Sequence, residues 1–371
     1  MVDFPASAHP SKIEQRAQKI SDPIERLRYL RRSTAPAGGL FPGWKWAASL
    51  ALAIAIVPLG VHAFRREPTP SKKSVAPVLH PVTVTPVIWP VEQTSQFDLY
   101  SNGLRIENGL AISNQPRSYG LISRGSGTPG PRRSQPAGIV FHTTESDQAP
   151  FQSSQKSALQ RIGQELLAYV RNKRAYHFLI DRFGRVHRIV VESDTANHAG
   201  HAVWADSQWL YLDLNESFLG VAFEARSDAD QEPINEAQLH AARALTEMLR
   251  GKYNLLAENC VTHAQVSVNP ENMRIGYHTD WGSRFPFRDI GLPDNYEIPN
   301  PAIYLFGFDY DPAYVNSTGS DLWKGLSLAE ERRRESAAER GVTLAEYRKI
   351  LQQRYKDARS ALQDRTADEE E

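Results

Sequence analysis

The stretch "GIVFH", residues 138–142, is a short apolar run that ends in a histidine. Such a run, with no alternation of apolar and polar residues, is typical of a strand that is buried on both faces. An amphipathic helix is predicted after it: "SSQKSALQRIGQELLAYV" (153–170) carries a stripe of apolar residues at helical spacing, made of Leu159, Ile162, Leu166 and Val170. A buried strand followed by a one-sided helix predicts a sheet that is covered by helices.

The same two patterns continue towards the C-terminus. "YHFLIDRFGRVHRIV" (176–190) predicts a hairpin with Gly184 at its turn, and "FLGVAFEA" (218–225) predicts another strand. "NEAQLHAARALTEMLRGKY" (235–253) predicts a helix that begins after the N-cap residue Asn235. Because strands and helices alternate, we expect an α/β domain in which helices flank a central mixed β-sheet.

The charge and the cysteine content of the 371-residue chain argue against several classes of protein. Lys and Arg together number 43, as do Asp and Glu, and this zero net charge gives no support for a dedicated nucleic-acid binder. The single cysteine, Cys260, can form no disulfide within the chain and no cysteine-rich zinc cluster. A metal site would therefore consist mainly of His, Asp and Glu side chains.

The segment "WAASLALAIAIVPLGVHAF", residues 46–64, contains no Asp, Glu, Lys or Arg. About 18–20 such residues suffice to cross a hydrocarbon core of about 30 Å, so we predict a transmembrane anchor here. A buried core helix and a signal peptide cleaved after Ala63 are the alternatives. We predict a cytoplasmic tail at 1–45 and a Pro-rich linker at 65–95. The rest of the chain would then face the periplasm or cell wall, as part of a single-pass protein of the inner membrane.

The remainder of the chain is predicted to hold one domain, at 96–315 with its core at about 133–290, and a charged helical extension at 316–371. In the extension, "SLAE" at Ser327 and "TLAE" at Thr343 resemble capping boxes, and each is predicted to begin a helix. An apolar stripe in the second helix would pack on the domain or bind a protein partner through residues 321–365; it consists of Leu344, Tyr347, Leu351, Tyr355 and Leu362.

Candidate metal ligands lie where predicted strands end. His142 ends "GIVFH", His263 follows "LLAENCVT", and Asp280 lies in the turn-like stretch "GYHTDWG" (276–282). Ligands gather at strand ends in α/β sheets. Two imidazoles and one carboxylate with an open fourth position form a common catalytic zinc site. His278 lies two residues before Asp280 and could take its place as a ligand.

Five motifs in order give the chain a family resemblance. "GIVFHTTES", "AYHFLIDRFGRVHRIV", "NHAG", "NESFLGVAFEA" and "THAQVS…HTDWGSRFPF" resemble the motifs of zinc-dependent N-acetylmuramoyl-L-alanine amidases of type 2. This family is related to phage amidase lysozymes and to peptidoglycan recognition proteins. The resemblance covers roughly residues 135–290. It implies the amidase fold, a Zn²⁺ cofactor, and peptidoglycan or muropeptides as binding partners.

The resemblance also implies a role for each matching residue. His142, His263 and Asp280 would hold Zn²⁺, and Tyr176 and His278 would act in catalysis. A further set would contact the substrate or support the ligands from behind, namely Glu224, His198, Asn197 and Trp281. Ala222 stands where some bacterial relatives have a catalytic Glu, and Glu224 lies on the same strand face. The insertion "VNPENMRIGY" (268–277) leaves open whether His278 or Asp280 is the third ligand.

Two functions follow from these observations. The first is a membrane-anchored zinc amidase that hydrolyses the amide between the lactyl group of N-acetylmuramic acid and L-alanine of peptidoglycan, through a metal-activated water. The second is a peptidoglycan-binding module without catalysis, anchored in the envelope. The sequence leaves open whether the substrate is the intact sacculus or a soluble fragment.

Overall fold

The computed structural model describes residues 12–17, 19–20, 29, 87–226, 234–310, 314–315 and 318–370. The predicted anchor at 46–64 and most of the predicted linker lie outside these residues. Within the described part of the chain, no helix combines the length and apolar character needed to cross a membrane. Contacts divide the chain into a unit of Met1–Ala35 with Thr85–Glu371 and a unit of Pro36–Val84, and only the first contains described residues.

The described strands are short, and the two longest helices lie at the C-terminus. The strands are β1 Pro90–Gln93, β2 Phe97–Tyr100, β3 Arg105–Glu107, β4 Ile122–Ser123, β5 Gly138–Thr143, β6 Phe178–Ile180, β7 Val186–Arg188, β8 Trp204–Ala205, β9 Trp209–Tyr211, β10 Phe218–Phe223, β11 Cys260–Thr262, β12 Val268–Asn269, β13 Arg274–Ile275 and β14 Asp309–Tyr310. The helices are α1 Lys12–Ala17, α2 Lys156–Asn172, α3 Leu214–Ser217, α4 Glu236–Tyr253, α5 His263–Val266, α6 Pro301–Tyr304, α7 Gly319–Glu339 and α8 Leu344–Glu370.

The main sheet has eight strands in the order β1-β2-β3-β7-β6-β10-β5-β11. At its centre, β10 is parallel to β5 and β6, and β11 is parallel to β5. β6 and β7 form the predicted antiparallel hairpin, and β1, β2 and β3 pair antiparallel. The sheet is therefore mixed, which confirms the predicted α/β class with flanking helices.

The central strands are apolar throughout because both faces of the sheet are covered. Every residue of β5 and of β10 is buried. On parallel strands the carboxyl ends meet at one edge, and the register places Ala222 of β10 beside His142 of β5. β11 pairs with β5 one residue earlier, at Thr262 and Phe141. His263 therefore leaves the sheet next to His142.

The predicted N-cap is confirmed for α4, whereas α2 begins at Lys156, three residues after the predicted start at Ser153, and has no side-chain cap. Asn235 forms a capping box with Gln238 at the start of α4, and Asn254 ends that helix in the left-handed region, at a φ of 52°. In α2, Leu166 and Val170 are the buried residues of the predicted stripe.

The C-terminal extension corrects one prediction and confirms another. Ser327 does not begin a helix, because α7 already starts at Gly319 and continues through this position with Leu326 and Ala329 buried on either side. Thr343 does cap α8: its backbone N–H donates to Oε2 of Glu346 (2.9 Å), whose own N–H donates to Oγ1 of Thr343 (3.3 Å).

The apolar stripe of α8 packs within the chain. Tyr347 and Leu351 form a small cluster with Ala337 of α7. The ring of Tyr355 lies 5.5 Å from Phe306 and 5.0 Å from Phe308 between centroids. Of the two alternatives for the stripe, these contacts favour packing on the domain. A protein partner that binds through residues 321–365 stays a prediction.

The short N-terminal helix α1 shares the apolar core of the domain. Ala17 is 4% exposed and belongs to the same apolar cluster as Ile139 and Leu219 of the main sheet. Ile13 and Tyr29 are partly buried and pack against this cluster.

Candidate metal centre

Three elements bring the predicted metal ligands to one place. His142 lies near the carboxyl end of β5, His263 begins α5 directly after β11, and Asp280 lies in the turn that follows β13. A hydrogen bond from the N–H of Ala264 to the carbonyl oxygen of Asp280, at 3.2 Å, ties this turn to α5. Ligand atoms of His142, His263 and Asp280 all lie within 4.8 Å of one another.

The carboxylate of Asp280 faces the same nitrogen of both histidines. Its Oδ2 lies 3.3 Å from Nδ1 of His142, and its Oδ1 lies 2.8 Å from Nδ1 of His263. The two imidazole rings are 4.5 Å apart between centroids, at an angle of 62°. The Nδ1 atoms thus point inward with the carboxylate, and the Nε2 atoms point to the surrounding protein.

The protonation of the cluster suits a divalent cation. Burial and the neighbouring His263 lower the pKa of His142 to about 4, although Asp280 acts in the opposite direction. Burial alone would raise the pKa of Asp280, but the charge of His263 and hydrogen bonds from both histidines outweigh it and hold this pKa far below its usual range. A neutral imidazole and an ionised carboxylate are the forms that bind zinc, so this donor set fits Zn²⁺.

Tyr176 lies beside the cluster. Its ring centroid is 5.1 Å from that of His142. Burial, together with the negative charge of Asp280, raises the pKa of its phenol. The phenol is therefore protonated at neutral pH and can donate a hydrogen bond.

His278 lies beside His263 rather than between the ligands. The two rings stack at 4.5 Å between centroids with an angle of 20°. His278 is exposed, and its backbone N–H donates to Oγ of Ser267 at 3.1 Å. Burial of part of the ring and the neighbouring His263 lower its pKa, so the imidazole is mostly neutral at pH 7.

A groove opens next to Tyr176. It encloses about 900 Å³. Asn197, predicted to contact the substrate, is exposed in its wall. Other residues that line the groove include Thr144, Arg161, Glu165, Tyr169 and Lys173.

The other three residues that were predicted to contact the substrate or support the ligands do not line the groove. The prediction that Trp281 contacts the substrate is wrong, because its ring is 1% exposed and packs against Phe223 and Phe285. Glu224 is buried, and its carboxylate accepts a hydrogen bond from the backbone N–H of Arg182 at 3.1 Å. His198 is buried behind His142, with its Nδ1 at 3.1 Å from Nε2 of that ring, and it is absent from the residues that line the groove.

Two further residues near the centre were not predicted from the sequence. His177 is fully buried, and its Nδ1 accepts a hydrogen bond from the N–H of Gly220 at 2.9 Å. Asn215 holds the segment that contains His198, with hydrogen bonds at 2.9 and 2.7 Å. The place of His177 directly after Tyr176 was the only available signal. Asn215 had none, because its partners are backbone groups.

A comparison with protein families identifies the fold that carries this cluster. The family model described as "N-acetylmuramoyl-L-alanine amidase" matches residues 132–283, which include His142, His263 and Asp280. No curated protein matches the chain.

Several solved structures are similar to part of the chain. The N-acetylmuramoyl-L-alanine amidase LysC from Clostridium intestinale has 21% identity over 48% of this chain and 93% of its own, with a TM-score of 0.27. The amidase AmiD from E. coli, in complex with an anhydro-N-acetylmuramic acid peptide, has 18% identity over 57% of this chain and 96% of its own, with a TM-score of 0.35. AmpDH3 from Pseudomonas aeruginosa, in complex with an anhydromuramic pentapeptide, has 20% identity over 52% of this chain and 83% of its own, with a TM-score of 0.36.

These identities and TM-scores are low, so the assignment rests on the family model. The match to the family model spans the strand β5, the helix α2, which lines the groove, and all three residues of the cluster. Residues 132–283 therefore match the N-acetylmuramoyl-L-alanine amidase family, a family of amide hydrolases.

Proposed function

We propose that the chain is a zinc-dependent amidase that hydrolyses the amide between the lactyl group of N-acetylmuramic acid and L-alanine in peptidoglycan or its fragments. The observation that carries the proposal is the convergence of His142, His263 and Asp280 within 4.8 Å, inside the stretch that matches the family model. The three residues would hold Zn²⁺ through the two Nδ1 atoms and the carboxylate.

A bound Zn²⁺ supplies a Lewis acid that polarises the scissile carbonyl and lowers the pKa of water to about 7. Protein side chains stabilise the developing charge and transfer the proton. Tyr176 donates a hydrogen bond to the carbonyl oxygen as that oxygen gains negative charge. The raised pKa of its phenol keeps the proton on the tyrosine throughout.

His278 serves the proton transfer. Its lowered pKa leaves the imidazole free to accept a proton from the attacking water near neutral pH. The same ring then delivers this proton to the departing amine of L-alanine. Its exposed position beside His263 allows exchange with solvent between turnovers.

The groove beside Tyr176 supports a peptide substrate. Lys173 lies in its wall as a cation, and the stem peptide of peptidoglycan carries carboxylates, whereas Arg161 is paired with Glu165 at 3.2 Å. Tyr169 and Asn197 add an aromatic face and an amide that can bind the peptide backbone. We place the stem peptide in this groove, with the sugar on the far side of the cluster.

The apolar segment 46–64 supports a membrane anchor, with the amidase domain on the periplasmic side of the inner membrane. This arrangement would bring the domain to the cell wall or to soluble fragments released from it.

The proposal is tested with the full-length chain in detergent, loaded with one equivalent of Zn²⁺ and incubated with a muropeptide. Mass spectrometry should detect a peptide with a free N-terminal L-alanine and the separated sugar, in amounts far above those from the His142→Ala variant. If the loaded protein binds the muropeptide yet yields no more product than His142→Ala, the chain is a binding module and the amidase proposal is wrong. The departure at Ala222, where some relatives have a catalytic Glu, makes this outcome worth measuring.

A further inference from the structure

Residues 197–200, "NHAG", lie directly behind both histidines of the candidate metal centre. Nε2 of His142 lies 3.1 Å from Nδ1 of His198, and Nε2 of His263 lies 3.3 Å from the carbonyl oxygen of Ala199. Two adjacent residues thus contact the outer nitrogens of two histidines that come from different strands. Both His198 and Ala199 are buried, so water does not compete for these contacts.

These contacts decide which nitrogen of each ring can bind a metal. A histidine that binds a metal through Nδ1 carries its proton on Nε2 and is oriented by an acceptor there. Behind His263, the carbonyl of Ala199 can only accept a hydrogen bond, so it favours a proton on Nε2 of that ring.

Behind His142, the same result requires a particular tautomer of His198. Nδ1 of His198 can accept from His142 when the proton of His198 is on its Nε2. That Nε2 lies 3.3 Å from the carbonyl oxygen of Phe218, which can only accept. Phe218 therefore favours this tautomer of His198. Once a metal replaces the proton that Nδ1 of His142 shares with Asp280, His198 accepts the proton that remains on Nε2 of His142.

One side chain holds the segment in place. Oδ1 of Asn215 accepts hydrogen bonds from the backbone N–H groups of His198 (2.9 Å) and Ala199 (2.7 Å). Asn215 lies in the short helix α3, and its own N–H donates to the N-cap residue Asp213 at 3.0 Å. On the opposite side, a Cβ at Gly220 would lie 2.6 Å from Cγ of His198, so a glycine is needed to make room for the ring.

The segment also reaches the catalytic tyrosine. The backbone N–H of Asn197 donates to the carbonyl oxygen of Arg174 at 2.9 Å, and its side-chain amide donates to that of Lys173 at 2.9 Å. Both acceptors belong to the turn that leads into Tyr176. Asn197, His198 and Ala199 therefore contact the surroundings of both metal-binding histidines and of the tyrosine.

We propose that residues 197–200, anchored by Asn215, are a positioning segment that orients both histidines with Nδ1 towards the metal. The inference rests on the proposed metal centre, and it assigns His198 and Asn215 a role that acts through other residues. Neither belongs to the cluster of candidate ligands. Their loss should change the affinity and the geometry of the metal site and should leave the number of ligands unchanged.

The test compares zinc affinity among variants of the full-length chain, by competition with a chromophoric chelator. Asn215→Ala should weaken zinc binding by about 10–100-fold, the usual effect of losing a residue that supports a ligand. Asn215→Asp keeps an oxygen that can accept both hydrogen bonds, and it should recover most of the affinity. The visible absorption spectrum of the Co²⁺-loaded protein should change in Asn215→Ala, because the ring orientations alter the coordination geometry.

Asn102→Ala is the matched control. Asn102 is also partly buried, and its side chain donates to the carbonyl oxygen of Ala244 (2.9 Å) and accepts from the N–H of Leu104 (3.3 Å), at the β2–β3 turn. Its loss should lower the melting temperature of the metal-free protein without changing zinc affinity. A second variant, His198→Phe, keeps a buried ring but removes the acceptor behind His142, and it too should bind zinc about 10–100-fold more weakly.

The outcomes separate this inference from the proposed function. If Asn215→Ala and His198→Phe bind zinc as tightly as the unchanged chain while their metal-free melting temperatures fall, the segment has only a structural role and the inference is wrong. If they lose zinc affinity and the unchanged chain still cleaves no muropeptide, the positioning role stands and the amidase proposal fails. If the unchanged chain binds no zinc, both fail.

Discussion

At the scale of single residues, Tyr176 adopts a backbone conformation that side chains other than glycine rarely take. Its φ is 64°, and that of Arg174, two residues earlier, is 48°. Such conformations cost about 1–3 kcal/mol each and persist only where surrounding contacts impose them. Here the hydrogen bonds from Asn197 hold the turn, and the ring lies 5.1 Å from His142 between centroids. The cost of the turn is consistent with a functional requirement for the position of the phenol.

Removal of the phenolic oxygen should therefore slow catalysis without disturbing the metal. We expect Tyr176→Phe to lower kcat by about 10²–10³-fold, which is the usual effect of losing one hydrogen bond to a developing oxyanion. KM and the zinc content should stay close to those of the unchanged chain, which steady-state kinetics and metal analysis would show. A variant that loses zinc along with activity would contradict this role and place Tyr176 among the supports of the metal.

A pair of substitutions resolves the roles of His278 and Asp280 in "GYHTDWG". Asp280→Asn keeps the shape of the side chain but removes its charge, so zinc affinity should fall by more than the roughly 10–100-fold expected for a supporting residue. His278→Asn should retain zinc affinity and lose activity. Isothermal titration with Zn²⁺ measures the zinc affinity of both variants, and the muropeptide assay measures their activity. The reverse pattern would make His278 the third ligand.

The sequence predicted the cluster because His142 and His263 lie at the ends of buried strands, which neighbouring parallel strands bring together. The geometry favours Asp280 over His278 because only the carboxylate faces both Nδ1 atoms. The sequence did not predict the place of His198 behind His142. That place depends on tautomers and backbone carbonyls, which leave no trace in residue types. Trp281 was placed in the set that contacts the substrate or supports the ligands, but packing against Phe223 and Phe285 buries its ring.

At the scale of secondary structure, a buried ion-pair network joins the sheet to the helix α4. Nε of Arg188 lies 2.8 Å from Oε2 of Glu192, and Nη1 of Arg188 lies 2.8 Å from Oδ2 of Asp98 in β2. Nζ of Lys252 in α4 lies 3.3 Å from Oε1 of Glu192. Burial would raise the pKa of Glu192, but the charges of Arg188 and Lys252 outweigh it and lower this pKa.

This network should make stability depend on pH in the acid range. Glu192 has a pKa below its unfolded value of about 4.3, so above that pH both states are ionised and the full stabilisation is present. As the pH falls below about 4.3, the unfolded state binds the proton first and stability is lost. The free energy of unfolding of the metal-free protein should therefore fall from pH 6 to pH 3.5, as measured by urea denaturation.

The variant Glu192→Gln isolates this contribution. Removing one partner from a buried ion pair lowers the free energy of unfolding by about 3–5 kcal/mol. The loss in Glu192→Gln should lie near the lower limit, because the Gln side chain can still form hydrogen bonds. The loss should be largest at pH 6 and shrink at pH 3.5. An equal loss at both pH values would show that the charge of Glu192 does not contribute.

Secondary structure was most predictable where apolar residues repeat over many positions. The helices α2 and α4 have such repeats, and the strand β5 is a continuous apolar run; all three were predicted. The capping motif at Ser327 was misleading because four residues match a capping box by chance, while the apolar residues around it continue the preceding turn of α7. Two-residue strands such as β12 and β13 have no pattern of their own, since their pairing is decided by the loops that bring them together.

At the scale of the whole molecule, the C-terminal helices are packed on parts of the folded chain that lie outside the family match at residues 132–283. Nε of Arg348 and the side-chain amide of Gln352 both donate to the carbonyl oxygen of Gly307, and Nη2 of Arg354 donates to that of Arg124. Gly307 has a φ of 67°, and a Cβ there would lie 2.8 Å from the backbone of α8, so the close approach of the helix requires a glycine. The charged composition of these helices predicted their exposed faces, but the shape of the surface they cover could not be read from it.

The burial of Ala17 bears on how the chain is arranged relative to a bilayer. A chain that crosses a membrane once, at 46–64, has its residues 12–17 on one side and its amidase domain on the other. Ala17 shares an apolar cluster with the main sheet of that domain, and this contact requires both on the same side. The packing of α1 and a single crossing therefore exclude each other in any one molecule.

Labelling of a cysteine introduced at the exposed Lys12 can distinguish the two arrangements. Cys260 is the only natural cysteine and is buried, so the background should be low. With a maleimide that cannot cross membranes, spheroplasts should leave Lys12→Cys unlabelled but should label a cysteine at the exposed Ser157 of the domain if segment 46–64 is a single-pass anchor with a cytoplasmic tail. Labelling of Lys12→Cys from outside would mean that both ends of the apolar segment lie in the same compartment, where α1 forms part of the folded enzyme.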